Sequence, residues 1–261
     1  MNETASIITI FDEAADTYDN VGVDFFRPIA AELVRAVAPQ PGERVLDVGC
    51  GAGAVLLPLA EAVGPHGHVT GIDLAPGMVA RTAAAATGLD TVTVELGDAQ
   101  APAYPPESFD LITSGLVLFF LPDPPAALAA YRDLLAPGGR LGFTSFAQHD
   151  PRYPEAMKLL ARFADDPPPQ RPLHAMFASA EAVRAATLGA GFAEAEVRDI
   201  TVHTEFRDAA QVLEWIWSHA GRQLVTRIPP DRRGAATAAL ASELGEPINF
   251  HTQIRITLAR R

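Results

Sequence analysis

Gly49, Gly51 and Gly53 stand at alternate positions directly after the strand-like run Val45-Leu46-Asp47-Val48. Glycines there let the chain turn sharply and bring bare N–H groups close to whatever lies above the turn. Val55, Leu56, Leu59, Ala60 and Val63 follow with helical spacing, so a positive helix N-terminus aims at the same place. Strand, glycine turn and helix in that order bind a nucleotide or a nucleoside-like cofactor. Two carboxylates extend the chemistry. Asp73 closes a second strand, 68–73, 20 residues beyond Gly53. A doubly wound fold places there the carboxylate that accepts from ribose hydroxyls. Leu74 and Met78 then stand to cover one face of a base. Asp98 follows a third strand over 91–95.

The glycines alone leave the cofactor open. Gly49, Gly51 and Ala54 also fit a GxGxxA dinucleotide fingerprint, which would suit a nicotinamide-dependent oxidoreductase. The longer run Asp47-Val48-Gly49-Cys50-Gly51-Ala52-Gly53 resembles motif I of the class I S-adenosylmethionine (SAM) methyltransferases. Phe11, Ala15, Tyr18 and Asp19 resemble the leader of the ubiquinone-biosynthesis-type branch of that family. Gly97-Asp98-Ala99, Phe109-Asp110-Leu111-Ile112-Thr113-Ser114 and Pro137-Gly138-Gly139-Arg140 extend the likeness across residues 11–145.

The resemblance implies methyl transfer from SAM to a small molecule, leaving S-adenosylhomocysteine. It implies a doubly wound seven-stranded Rossmann-like α/β sheet of order 3-2-1-4-5-7-6 with its seventh strand antiparallel. It places Asp47, Gly49, Cys50 and Gly51 around the cofactor turn, with Asp73 on the ribose. Asp98 and Ala99 would read the adenine, with Ser114, Gly115 and Leu116 at the methionine end. Tyr18, backed by Phe26, would belong to a lid over cofactor and substrate. One departure stands out. Many relatives carry a histidine pair where this chain has Phe119-Phe120 before Leu121-Pro122-Asp123-Pro124. An imidazole base is therefore missing there, and a SAM-binding regulator or rearrangement catalyst of the same fold stays open.

Methyl transfer needs nucleophile, carbon and sulfur held in line, and positioning of that kind supplies about 7–11 kcal/mol. A base is needed only when the nucleophile carries a proton that must leave. Candidates for that task are His219, Tyr18, His174 and His251, with His149 beside them. Trp215, Trp217 and His219 crowd one segment ending at Gly221, the make-up of an apolar pocket with one polar group. If the pocket is purely apolar, the acceptor is an amine, phenolate or enolate that is already nucleophilic.

The elements that must position these groups divide the 261 residues into four stretches. Residues 1–40 read as a helical lid, with helices over 5–19 and 28–37. Residues 41–146 form the SAM-binding core. Residues 147–190 read as a cap inserted after the fifth strand, including a helix over 154–163 and the stiff run 165–172. Residues 191–261 return to the sheet with a strand over 195–203, a long helix over 208–227, a helix over 230–244 and a last strand over 248–258. Apolar residues make up 48% of the chain, enough for a core of this size. The net charge of −12 argues against a nucleic-acid partner. The single cysteine permits no internal disulfide and suits the cytoplasm. No signal-like leader or bilayer-long apolar run is seen, and no CxxC or HExxH pattern calls for a metal. The expected state is a monomer or homodimer, and the alanine- and arginine-rich composition points to secondary metabolism.

Overall fold

Arg44–Val48 forms β1, the centre of the sheet, because Val45, Leu46 and Val48 are all fully buried between helix layers. The computed structural model describes residues 3–169 and 172–261, with the backbone alone for residues 3–6. Gln170 and Arg171, within the proline-rich run expected over 165–172, lie outside the described residues, as do Met1 and Asn2. Around β1 stand β2 (His68–Asp73), β3 (Val92–Leu96), β4 (Phe109–Gly115), β5 (Leu135–Gln148), β6 (Glu194–Phe206) and β7 (Ile248–Arg260). The sheet order is β3-β2-β1-β4-β5-β7-β6. β1 to β5 run parallel, and β7 is antiparallel to both β5 and β6. This is the doubly wound order and strand direction that the resemblance implies.

Alternate strand residues point to opposite faces, which sorts the core into layers. Val45 and Leu111 pack with α2 (Phe26–Val37) and α3 (Leu56–Val63). Leu46, Val48 and Ile112 pack on the other face with α5 (Pro124–Leu134) and α7 (Ala180–Gly189). A third cluster joins Phe206, Phe250 and Ile254 to α6 (Arg152–Ala161), α8 (Ala209–Trp217), α9 (Arg222–Thr226) and α10 (Pro230–Leu244). The remaining helices, α1 (Glu3–Ala14) and α4 (Pro76–Ala85), meet through Ala15, Ala75 and Met78.

Two expected elements differ. The helix over 5–19 stops at Ala14, and residues 15–19 turn, with Asp19 in the left-handed region at φ 51°. The single helix over 208–227 breaks into α8 and α9. The Ser218 hydroxyl donates to Trp215 O at 2.8 Å, and His219 Nδ1 accepts from Gly221 N at 3.4 Å. Side chains that bond their own backbone compete with the helix ladder. Gly221 permits the fold-back, since a Cβ there would sit 2.7 Å from Ile216 O. The break turns His219 inward.

Candidate active site

The C-terminal ends of β1 to β5 open on one cavity of about 500 Å³. A parallel doubly wound sheet binds its ligands at this edge. Sheet order divides the cavity walls. The ends of β3, β2 and β1 carry Asp98, Asp73 and Gly49; the end of β5 carries Ser145, Phe146 and His149. β3 and β5 are four strand spacings apart, about 19 Å. Phe25, Phe119, Phe177, Tyr153, Trp215 and His219 line the β5 half.

On the glycine-turn half, Asp73 accepts from Gly51 N at 3.0 Å through one oxygen and from Ala75 N at 2.9 Å through the other. Each oxygen keeps a lone pair, so the carboxylate can still accept from two hydroxyls. Burial pushes this carboxyl above its ordinary range, against the lowering pull of those N–H groups. Asp98 Oδ1 takes the N–H of Gln100 at 2.8 Å, and the Gln100 side chain exchanges two bonds with the Asp123 backbone. The Tyr131 hydroxyl pins Ala99 O at 2.6 Å. The Asp98–Ala99 edge is thus held from both sides. Leu74 and Met78 give the same half its apolar wall.

Asp47 is 1% exposed. Its Oδ1 accepts from the Thr113 hydroxyl at 2.7 Å, while Oδ2 has no partner among the described residues. It lines a side cavity of about 60 Å³ with Cys50 and Thr144. Tyr18, Phe26, Gly49, Gly51, Gly115 and Leu116 line both cavities. Burial pushes the Asp47 carboxyl up to about 7. A carboxylate in that state suits a cationic amino group. Cys50 is buried behind the turn, and burial pushes its thiol up. Ser114, expected at the methionine end, is fully buried and lines neither cavity.

Because the Asp47 carboxyl rises in the folded chain, the ligand-free protein loses stability as pH climbs from the ordinary 3.8 through about 7. Asp47→Asn is therefore expected to stabilise the ligand-free protein at pH 8 by about 1–3 kcal/mol. The gain should shrink at pH 5, and binding of a cofactor amino group should weaken. Thermal melts at both pH values with titration of SAM read all three effects.

Residues 11–19 cover the site. Tyr18 stacks on Phe26 at 4.8 Å, and Phe11 meets both Tyr18 and Phe120 edge-on. The segment is tied to α4: Asp12 accepts from Gly77 N at 2.6 Å, and Arg81 donates to Ala15 O and Tyr18 O. Burial and the neighbouring Asp19 and Asp73 push the Tyr18 phenol up. The Tyr18 phenol therefore holds its proton more tightly than a free phenol.

His219 is 8% exposed, edge-on to Trp215 at 4.7 Å and to Phe26 at 6.0 Å. Burial holds its pKa down to about 4, so the ring is neutral at pH 7. With the folded value below the unfolded 6.5, its stabilising contribution is complete above pH 6.5 and is lost as pH falls towards 4. The loss by pH 5 is about 2 kcal/mol. Urea melts at pH 7.5 and 5 should show His219→Gln losing less stability on acidification than the unaltered protein.

Two of the expected histidines lie elsewhere. His174 is exposed, and its Nδ1 accepts from Met176 N at 3.2 Å to cap a short turn. His251 is exposed on β7, edge-on to His203 at 4.6 Å. Strand alternation sends its neighbour Thr252 to the cavity instead. Ser145, Gln148, Tyr153 and Gln100 line the cavity without having been singled out. Position at the end of a parallel strand could have marked Ser145 and Gln148; Tyr153, inside α6, carries no such signal. His149 sits at the opening between Phe146, at 4.3 Å, and Tyr153, at 5.1 Å. Among the described residues no group of three or more His, Cys, Asp or Glu is placed to hold a metal, and no helix is long and apolar enough to cross a membrane.

Comparison with known proteins bears on this geometry. A methyltransferase-domain family model matches residues 45–139. Nocamycin O-methyltransferase of Saccharothrix syringae is 41% identical over 256 residues, covering 90% of this chain and 89% of its own length. Aklanonic acid methyltransferase DauC of Streptomyces sp. strain C5 is 50% identical over 137 residues, 52% of this chain and 62% of that protein. The YcgJ protein of Bacillus subtilis shares the fold, with a TM-score of 0.60 at 19% identity over 90% of this chain and 98% of its own.

Proposed function

The chain belongs to the class I SAM-dependent methyltransferases that act on small molecules, and from that premise we propose how its cavity divides cofactor from acceptor. The glycine-turn half holds SAM. Asp73 takes the ribose hydroxyls, Asp98 and Ala99 the adenine edge, and Leu74 and Met78 a face of the base. Asp47 Oδ2, buried without a partner, takes the amino group. The donors and acceptors present fit the cofactor: spare lone pairs on Asp73, an orphan carboxylate oxygen on Asp47, and apolar walls between. Bound there, SAM supplies an electrophilic methyl on a sulfonium.

The β5 half holds the acceptor. Phe25, Phe26, Phe119, Phe146, Tyr153 and Trp215 form walls that suit a flat, largely apolar molecule and keep water out. Tyr18 and Phe26 line both the main cavity and the side cavity beside the glycine turn, so they border the cofactor, where small errors in line-up cost rate steeply. Relatives named for nocamycin and aklanonic acid favour an oxygen acceptor on a secondary metabolite. The acidic chain (net −12) disfavours a nucleic-acid acceptor. Cytoplasmic residence, as a monomer or homodimer, completes the reading.

The observation that carries it is one continuous cavity with carboxylates at one end and aromatics at the other. The test is transfer of isotopically labelled methyl from SAM to a panel of polycyclic aromatic hydroxyl and carboxyl compounds. Label on oxygen is expected. Normal binding of S-adenosylhomocysteine with label only on nitrogen or carbon would overturn the oxygen reading and leave the family standing.

A further inference from the structure

His251, which does not reach the cavity, stands directly opposite His203 in the β6–β7 ladder. Cross-strand partners share one face of a sheet. Both side chains are exposed, and their ring centroids lie 4.6 Å apart with the planes at 73°. Among the described residues no hydrogen bond engages either ring. Other histidines differ: His68, His174 and His219 each spend a ring nitrogen on a neighbour. The His203–His251 pair therefore keeps a free lone pair on each neutral ring, and a neutral imidazole nitrogen is a metal ligand.

The spacing can be compared with that of two rings on one ion. A metal–imidazole bond is about 2.0–2.1 Å and the ring centre lies about 1.1 Å further on, so each centroid sits about 3.2 Å from a shared ion. Two rings at right angles about that ion are then about 4.5 Å apart, and two at the tetrahedral angle about 5.2 Å. The observed 4.6 Å matches the right-angled arrangement, which square-planar and tetragonal ions favour. The last side-chain torsion of histidine is broad, and it turns the ring nearly about its own centre. One nitrogen of each exposed ring can thus swing to the shared point without changing the spacing.

The surroundings suit a cation. Strand alternation puts Glu205 and its partner Asn249 on the same face as the pair, with Thr201 and Gln253 on the other side of it. Glu205 adds negative charge, and no lysine or arginine stands at these six positions. No third His, Cys, Asp or Glu completes a ligand set among the described residues, so water fills the remaining positions. Thr252 points to the opposite face and lines the cavity, which keeps the pair across the sheet from methyl transfer.

We propose that His203 and His251 together bind a divalent transition-metal ion at right-angled positions, Cu²⁺ in preference to Ni²⁺. An ion held there clasps the edge strand β6 to β7.

Calorimetric titration of the full chain with CuCl₂, NiCl₂ and MgCl₂ tests this, together with electron paramagnetic resonance of the one-equivalent Cu²⁺ complex. One Cu²⁺ per chain should fill the strongest site, Ni²⁺ should bind more weakly, and Mg²⁺ should not bind. The spectrum should show two imidazole nitrogens in the equatorial plane. His203→Asn and His251→Asn should each weaken Cu²⁺ binding by more than about 10-fold and leave one nitrogen in the spectrum. His66→Asn serves as the control, because His66 and His68 are the other histidines close in sequence; it should leave the strongest site unchanged. Equal affinity of all three variants for S-adenosylhomocysteine shows that the fold is intact. Three results would overturn the proposal: one nitrogen or none in the unaltered protein, Cu²⁺ affinity undiminished in His203→Asn, or loss of the strongest site in His66→Asn.

Discussion

Asp73→Ala is expected to weaken SAM binding about 10²–10³-fold, because two charge-assisted bonds to ribose hydroxyls are worth about 1.5–3 kcal/mol each and water recovers part of the loss. The substitution also frees the N–H groups of Gly51 and Ala75 that the carboxylate now holds. Some of the effect will therefore come through the glycine turn. Asp73→Asn separates the two contributions, since it keeps one acceptor oxygen and a similar shape. It should hold the turn better than alanine and still bind SAM more weakly than the unaltered protein. Calorimetric titration with SAM alongside thermal melts distinguishes lost contacts from a loosened turn. Undiminished affinity in Asp73→Ala would remove Asp73 from the cofactor site.

Gly49→Ala is expected to be the most disruptive single-methyl change near the site. Gly49 holds φ at 68°, and an added Cβ would lie 2.4 Å from Val117 Cγ2 and 2.8 Å from Cγ1. The left-handed backbone costs an alanine about 1 kcal/mol, and overpacking adds about 1–3 kcal/mol. For a chain of this size that corresponds to a fall in Tm of about 5–15 °C. Pairing it with Val117→Ala removes both clashing methyls and leaves Val117 Cβ at 3.2 Å. The double variant should regain the overpacking part and keep the backbone part. A full rescue by Val117→Ala would mean that the turn imposes no conformational demand at position 49.

The glycine-turn end of the cavity was legible from local pattern. A buried β1 followed by alternating glycines constrains chain direction within a few residues, and the ends of β2 and β3 must then deliver Asp73 and Asp98 to the same edge. The aromatic end was not, because its wall is assembled from segments far apart in the chain. Phe25, Phe146, Tyr153 and Trp215 meet only once β7 inserts beside β5. His251 shows how little error is tolerated: one position along β7 decides between cavity and solvent, and Thr252 takes the inward place. His174 sits in a stretch where side-chain capping of a short turn leaves no periodic trace. The run over 208–227 has helical spacing throughout, and bonds from Ser218 and His219 to nearby backbone end α8 early. His219 reaches the cavity for that reason, and its tautomer became readable only with Gly221 in place.

The most direct test is a crystal structure with S-adenosylhomocysteine bound. The ribose hydroxyls should lie within hydrogen-bonding distance of both Asp73 oxygens, the adenine against Asp98 and Ala99, and the sulfur should face the aromatic wall of Phe119, Phe146 and Trp215. A ligand seated among those aromatics with Asp73 turned away and the Gly49–Gly51 turn untouched would contradict the division of the cavity.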